Sequence, residues 1–209
     1  MIEVTSITEV KKHLQGLNAI IFDLDDTLYG EKEYVRSGYR AIADTLHQVG
    51  RMEEKLWQAF EQNKSAIDEV LTAENIYTEK LKQKCLSVYR FHQPDIHLYE
   101  GVKELLCQLR IDGYKVGIIT DGRPEGQRAK IKALGLNELV DHIIVTDELG
   151  GVEYRKPNKA AFVRMQELLG VPFDVMCYVG DNMEKDFIAP EHLGMKWIWF
   201  RNSDGLYCR

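Results

Sequence analysis

The sequence predicts an α/β protein: a doubly wound parallel sheet with a small helical subdomain inserted after its first strand. Three observations predict it. Five short apolar runs are continuous rather than alternating, as in strands covered on both faces. Helical patterns separate the last four of them. A long stretch without a convincing strand follows the first, and it carries apolar faces of its own.

The apolar runs cover residues 18–23, 115–120 (KVGIIT), 142–146 (HIIVT), 175–180 (VMCYVG) and 196–200 (KWIWF). Helices are expected at 101–112, 124–134, 158–169 and 184–193, with Gly113, Gly135 and Gly170 standing where helices end. Four more are expected at 31–50, 52–63, 65–76 and 78–92, where Val35, Tyr39, Ile42 and Leu46 recur at helical spacing. The expected division is therefore residues 1–30 with 98–209 as the α/β core and residues 31–97 as the helical domain.

A chain of 209 residues can bury a full core, and 44% hydrophobic with 29% charged residues is ordinary for a soluble globular protein. The net charge of −6 argues against nucleic acid or an anionic membrane as partner, since either wants a basic face. Cys85, Cys107, Cys177 and Cys208 are scattered without a CxxC pair, so they form neither a disulfide framework nor a zinc site. Cys177, inside an apolar run, reads as a buried thiol. The N-terminal MIEVTSITEVKKHLQG is charged throughout, so it is not expected to be a signal peptide. No apolar run approaches the roughly 20 residues that cross a bilayer. The expected compartment is the cytoplasm, and nothing demands more than a monomer.

The chemistry gathers at strand ends, where open α/β sheets bind ligands. The first strand runs into AIIFDLDDTLYG, residues 19–30, which crowds Asp23, Asp25 and Asp26 behind an apolar segment and adds Thr27. Asp23 and Asp25 share parity along an extended chain, so Asp26 is expected to face solvent or cap a helix. Thr120 and Asp121-Gly122 end the second strand. Gly180-Asp181-Asn182 end the fourth, with Asp186 following, and Lys156 precedes a helix expected to start at Pro157. Taken singly each is ordinary: a cap, a strand-end hydroxyl, a surface lysine, a turn. Together, two carboxylates from one strand end and one from another make the hard oxygen site that Mg²⁺ prefers, relieving their repulsion. A hydroxyl, backbone N–H groups and an ammonium complete a phosphate cradle. A carboxylate nucleophile would then split a difficult hydrolysis into two easier steps.

These residues resemble the haloacid dehalogenase (HAD) superfamily. Asp23-Leu24-Asp25-Asp26-Thr27 looks like its DxDx[TV] signature, Thr120 its second motif, Lys156 its third, and Gly180-Asp181 through Asp186 its fourth, GDxxxxD. All four occur in the family's order. The resemblance implies a Rossmann-like doubly wound parallel sheet core, with a squiggle and flap after the first strand and an inserted C1-type α-helical cap. It also implies that Asp23 is the nucleophile and Asp25 the general acid, then base. Mg²⁺ would be held by Asp23, the backbone carbonyl of Asp25, and Asp181. Thr120, Asp121 (through its backbone N–H) and Lys156 would bind the phosphoryl group. Asp186 would support the metal by holding its ligands in place or through water. The family's usual Lys-Pro-Asp is here Lys156-Pro157-Asn158, which leaves the lysine intact.

The expected function is a Mg²⁺-dependent phosphatase acting on a small soluble phosphate ester through a phosphoaspartate. Asp25 argues against a dehalogenase, because a halide needs no proton to leave and an alkoxide does. A sugar phosphomutase of the same superfamily, or a phospho-accepting protein without turnover, stays open as the alternative. Tyr34, Arg36, Tyr39 and Arg90 could read the leaving group, and each reads equally well as a packed or solvated helix residue.

Overall fold

The computed structural model describes residues 2–47 and 49–206. Gln48, inside the helix expected to reach residue 50, and Cys208 lie outside them. The chain divides into two compact units, Met1–Glu31 with His97–Arg209, and Lys32–Ile96.

In the first unit, the described residues form one parallel sheet of six strands: β1 (Ile2–Val4), β2 (Ala19–Phe22), β3 (Lys115–Thr120), β4 (His142–Val145), β5 (Met176–Gly180) and β6 (Lys196–Phe200). Their order is β1-β6-β5-β2-β3-β4. The chain grows from β2 to β3 and β4 on one side, then returns to β5 and β6 on the other. The order therefore reverses beside β2, and such a switch point opens a crevice at the carboxyl ends of the strands. The register pairs Phe22 with both Ile118 and Val179, so Asp23 emerges level with the end of β5.

The five foreseen strands fall inside the apolar runs, and the central three, β2, β3 and β5, are buried on both faces, while β4 and β6 are partly exposed. Ala19, Ile20, Ile21 and Phe22 are wholly enclosed, as are Met176 and Val179. Burying a side chain such as Ile20 or Ile21 stabilises by roughly 1.5–3 kcal/mol before entropy is counted. Under the sheet, Phe162, Met165, Tyr178, Phe187 and Met195 share one cluster. β1 is a strand the sequence did not announce. It is three residues long and pairs only with β6, too short for a period to show.

The core helices relevant to the site are α5 (Val102–Ile111), α6 (Pro124–Ala133), α7 (Ala160–Leu169) and α8 (Ile188–His192). Gly170 ends α7 in the left-handed region at φ 65°, its N–H donating to Gln166. Two helix starts differ from expectation. α7 begins at Ala160, whose N–H is accepted by Asn158 Oδ1 at 2.8 Å, so Pro157 lies ahead of the helix. α8 begins four residues later than expected, at Ile188. Asn182 Oδ1 accepts from Glu184 N, and Asp186 Oδ2 accepts from Asn182 N, both at 2.9 Å. These side chains offer the backbone an alternative to helix.

The second unit is helical: α1 (Glu31–Thr45, its first residue in the core unit), α2 (Met52–Glu61), α3 (Ala66–Ala73) and α4 (Glu79–Phe91). Val35, Tyr39, Ile42, Leu56, Leu71 and Cys85 build its own core. Thr78 Oγ1 caps α4 by accepting from Leu81 N at 3.1 Å. Among the described residues no helix is long and apolar enough to cross a membrane.

Candidate active site

β2 delivers Asp23 to the switch point, where its N–H donates to Val179 O at 2.8 Å and continues the β2–β5 ladder by one residue. Across the seam, β5 ends at Gly180 and hands on Asp181. Glycine is required there: a Cβ on Gly180 would stand 2.5 Å from Asp186 Oδ2. The turn can thus fold Asp186 back against the strand end. One carboxylate oxygen from each of Asp23, Asp181 and Asp186 lies within 4.8 Å of the others. Asp186 belongs to this cluster directly, and the Asp25 carboxylate does not.

Lys156 enters the cluster from the other side, fully enclosed. Its Nζ stands 2.7 Å from Asp23 Oδ1, 2.8 Å from Asp186 Oδ1 and 2.9 Å from Tyr178 Oη. Burial would strip the lysine of its proton, but Asp186 and Asp23 hold its pKa well above the ordinary value. Lys156, with Lys185 farther off, does not balance three carboxylates. Burial pushes Asp23 up to about 7 against the pull of Lys156, and burial with Asp23 and Asp186 alongside pushes Asp181 up to about 8. Three hard oxygen donors with excess negative charge are what a small divalent cation requires, so Asp23, Asp181 and Asp186 fit a metal ion.

Thr120 closes β3 and is buried. Asp121 turns its side chain inward: Oδ1 accepts from Thr146 Oγ1 and from Lys156 N, both at 3.0 Å. That carboxylate ties the end of β3 to the segment carrying Lys156. Lys185 Nζ lies 3.3 Å from Asp121 Oδ2. Burial and Lys156 would lower its pKa, yet Asp23, Asp186 and Asp121 raise it.

Beyond β2 the chain makes one helical turn, with Leu28 N donating to Leu24 O at 3.0 Å, and then bridges Tyr29 to Leu98. Asp25 leaves this turn away from the seam. Its Oδ1 accepts from Lys130 Nζ at 2.7 Å and from the Tyr29 hydroxyl, and its Oδ2 accepts from Gln127 Nε2 at 2.8 Å. Burial would raise Asp25, yet the charge of Lys130 and these hydrogen bonds carry it below the ordinary carboxylate value. Asp26 is not solvent-facing. It is buried in the left-handed region at φ 54°, and its Oδ1 does cap α1 by accepting from Glu31 N at 2.8 Å. Its Oδ2 accepts from Leu206 N at 2.7 Å and its carbonyl from Asn202 Nδ2 at 2.8 Å. A local cap satisfied by distant chain cannot be read from strand parity. Thr27 is buried, its hydroxyl without a hydrogen-bond partner among the described residues.

Sequence reasoning missed Tyr29, Gln127, Lys130, Tyr178 and Lys185. For two of them a signal existed. Ile131 and Leu134 mark the buried stripe of α6 and its C-terminal turn, and Gln127 and Lys130 sit four residues before them on that stripe. A polar pair on an apolar face is a partnered pair. Among the helical-unit candidates, Tyr34 and Tyr39 are buried and pack against Tyr89, while Arg36 lies over Trp57 and 3.3 Å from Glu53.

Residues 20–200 match the family of haloacid dehalogenase-like hydrolases. A glyceraldehyde 3-phosphate phosphatase of Methanopyrus kandleri is 27% identical over 90% of this chain and 85% of its own. The pyrophosphatase PpaX of Halalkalibacterium halodurans is 27% identical over 86% of this chain and 81% of its own. Among solved structures, a HAD-superfamily hydrolase of Geobacter sulfurreducens superposes with a TM-score of 0.67 at 16% identity, covering 90% of this chain and 89% of that one. With its matched span, its parallel sheet and its acids gathered at the switch point, the chain belongs to the haloacid dehalogenase-like hydrolase family.

Proposed function

We propose that the protein is a Mg²⁺-dependent phosphatase that hydrolyses a small phosphate ester by transferring the phosphoryl group to Asp23. The observation that carries this reading is the buried cluster at the β2–β5 seam. There Lys156 Nζ sits 2.7 Å from Asp23 Oδ1, and Asp181 and Asp186 stand alongside. Asp23, Asp181 and Asp186 would hold the cation, with the backbone carbonyl of Asp25 as the further ligand that the family resemblance suggests. When bound, Mg²⁺ supplies positive charge against the acids and the phosphoryl oxygens.

Lys156 orients the Asp23 carboxylate. An Asp23 oxygen attacks phosphorus, the bond to the ester oxygen breaks, and that oxygen leaves with a proton from Asp25. Asp25 is kept ionised by its own surroundings and must therefore take that proton up from solvent as the anionic substrate binds. Water then attacks the phosphoaspartate, Asp25 takes its proton, and inorganic phosphate departs as the Asp23 carboxylate is restored. Thr120, the Asp121 N–H and Lys156 hold the phosphoryl oxygens. The helical unit is read as a cap that selects the leaving group. The names of the two relatives, one for glyceraldehyde 3-phosphate and one for pyrophosphate, support a small substrate.

The test is phosphate release from a panel of phosphorylated metabolites, with Mg²⁺ and with excess chelator. Release with Mg²⁺ that chelation abolishes and added Mg²⁺ restores is expected. Full turnover in chelator would sink the metal assignment. Transfer of the phosphoryl group to a second sugar hydroxyl without phosphate release would replace the hydrolase with a mutase.

A further inference from the structure

Two donors from α6 reach Asp25. Lys130 and Gln127 lie three residues apart on one face of that helix, and both are buried in a stripe that packing alone would fill with leucine. Only 6% of the Lys130 side chain is exposed, and its Nζ meets Asp25 Oδ1 at 2.7 Å. Gln127 Nε2 meets the other oxygen, Oδ2, at 2.8 Å and also donates to Thr120 Oγ1. Gly122 leaves the room this requires: a Cβ there would stand 3.1 Å from Gln127 Cγ.

Burying an ammonium on a helix that could have been apolar is costly unless its placement serves something. We propose, building on the phosphatase reading, that Lys130 and Gln127 are positioning residues. They grip the two oxygens of Asp25 separately and fix the carboxyl in register with Thr120. A carboxyl held at one oxygen can still rotate; held at both, it has one orientation. Thr120 stands at the phosphoryl end and Asp25 serves the leaving oxygen, so Gln127 links the two ends of the scissile bond. The arrangement therefore sets how well the enzyme turns over esters whose leaving oxygen needs a proton. Phosphoryl transfer from aryl esters, whose leaving group departs unaided, should be nearly indifferent to it.

The experiment compares an alkyl phosphate with p-nitrophenyl phosphate in Lys130→Met, Gln127→Leu and Asp25→Asn, and in the double variants with Asp25→Asn. Lys130→Met should slow phosphoenzyme formation from the alkyl ester, read by rapid quench, by roughly 10- to 100-fold, as expected when a reacting group shifts by about an ångström. Formation from the aryl ester should change less than about threefold, while hydrolysis of the phosphoenzyme, where Asp25 is the base, should slow alike after either ester. In the Asp25→Asn background the same change should cost nothing further, because its effect runs through Asp25. Gln127→Leu, nearly the same shape and uncharged, should show the same selectivity more weakly, and it keeps the test open if Lys130→Met does not fold. Equal losses in phosphoenzyme formation from both esters, or losses that add to that of Asp25→Asn, would overturn the proposal and make the pair merely structural or a direct substrate contact. Wild-type protein that releases phosphate from neither ester or any metabolite would sink the phosphatase reading, and this inference with it.

Discussion

Asp23 and Asp25 are two residues apart and live in opposite surroundings. At the β2–β5 seam, Lys156 stands between Asp23 and Asp186, Lys185 adds a more distant ammonium, and three carboxylates still outnumber them. On the α6 side, both oxygens of Asp25 accept hydrogen bonds, from Lys130, Gln127 and Tyr29. The seam is short of positive charge, whereas the Asp25 carboxylate is satisfied, although burial and that carboxylate push nearby Glu31 up to about 8. One aspartate is pushed up to about 7 and the other lies below its ordinary value, although the residues are chemically identical. The contrast teaches that surroundings, not residue type, divide the labour. An under-neutralised cluster is made to be completed by something else, while a satisfied carboxylate is made to stay where it is.

The comparison breaks most sharply at Asp23. Asp23→Asn should leave no phosphoenzyme and bring turnover to background, as rapid quench will read. Asp25→Asn should keep the attacking group and lose roughly 10²–10⁴ in rate on an alkyl ester. On an aryl ester it should still form the phosphoenzyme and hydrolyse it slowly. Equal collapse of both variants on both esters, with nothing trapped, would erase the distinction between the two sites.

Stability should separate the sites as well. The folded values of Asp23 and Asp181, about 7 and about 8, lie above their ordinary 3.8, so the folded state holds extra protons between those limits. Their contribution to stability is present at low pH and is lost as pH rises through the folded values. Asp25, shifted down, acts in the opposite sense and only at lower pH, where it loses its contribution as pH falls. In chelator, thermal melts should therefore show the seam's stabilisation fading from pH 5.5 to pH 8. Mg²⁺ should raise Tm more at pH 8 than at pH 5.5, and an equal or absent Mg²⁺ shift at both would remove the seam's charge deficit as its cause. The smallest effect is expected at Asp26, whose replacement by Ala leaves two N–H groups unpaired. It should cost about 1–3 kcal/mol in denaturant unfolding and leave the alkyl-to-aryl rate ratio unchanged.

Much of this was legible in the sequence, for reasons that particular residues make plain. Ala19 to Phe22 and Met176 to Gly180 announce central strands because both faces are buried. Once strands are placed, Asp23, Thr120 and Asp181 come to one end of the sheet by topology alone. Lys156 was legible only through its place among the motifs, since a lone lysine ahead of proline says nothing of burial. Gln127 and Lys130 could be marked as a partnered pair by their place on an apolar stripe, but the partner itself was hidden because it depends on which face of α6 meets the β2 loop. Ile2–Val4 was hidden because an edge strand of three residues has no period.

The three-way grip on Asp26 has a consequence for how the molecule comes into being. The loop bearing Asp23 and Asp25 is made early, but two of the groups that fasten it, on Asn202 and Leu206, come 176 and 180 residues after Asp26. β1 waits equally long, since its sole sheet partner is β6. A chain growing from its N-terminus must carry that loop without these two bonds until Leu206 has been made, and their closure joins segments widely separated in sequence. The loop therefore gains these fastenings only after β6, and with it the whole sheet, has been made.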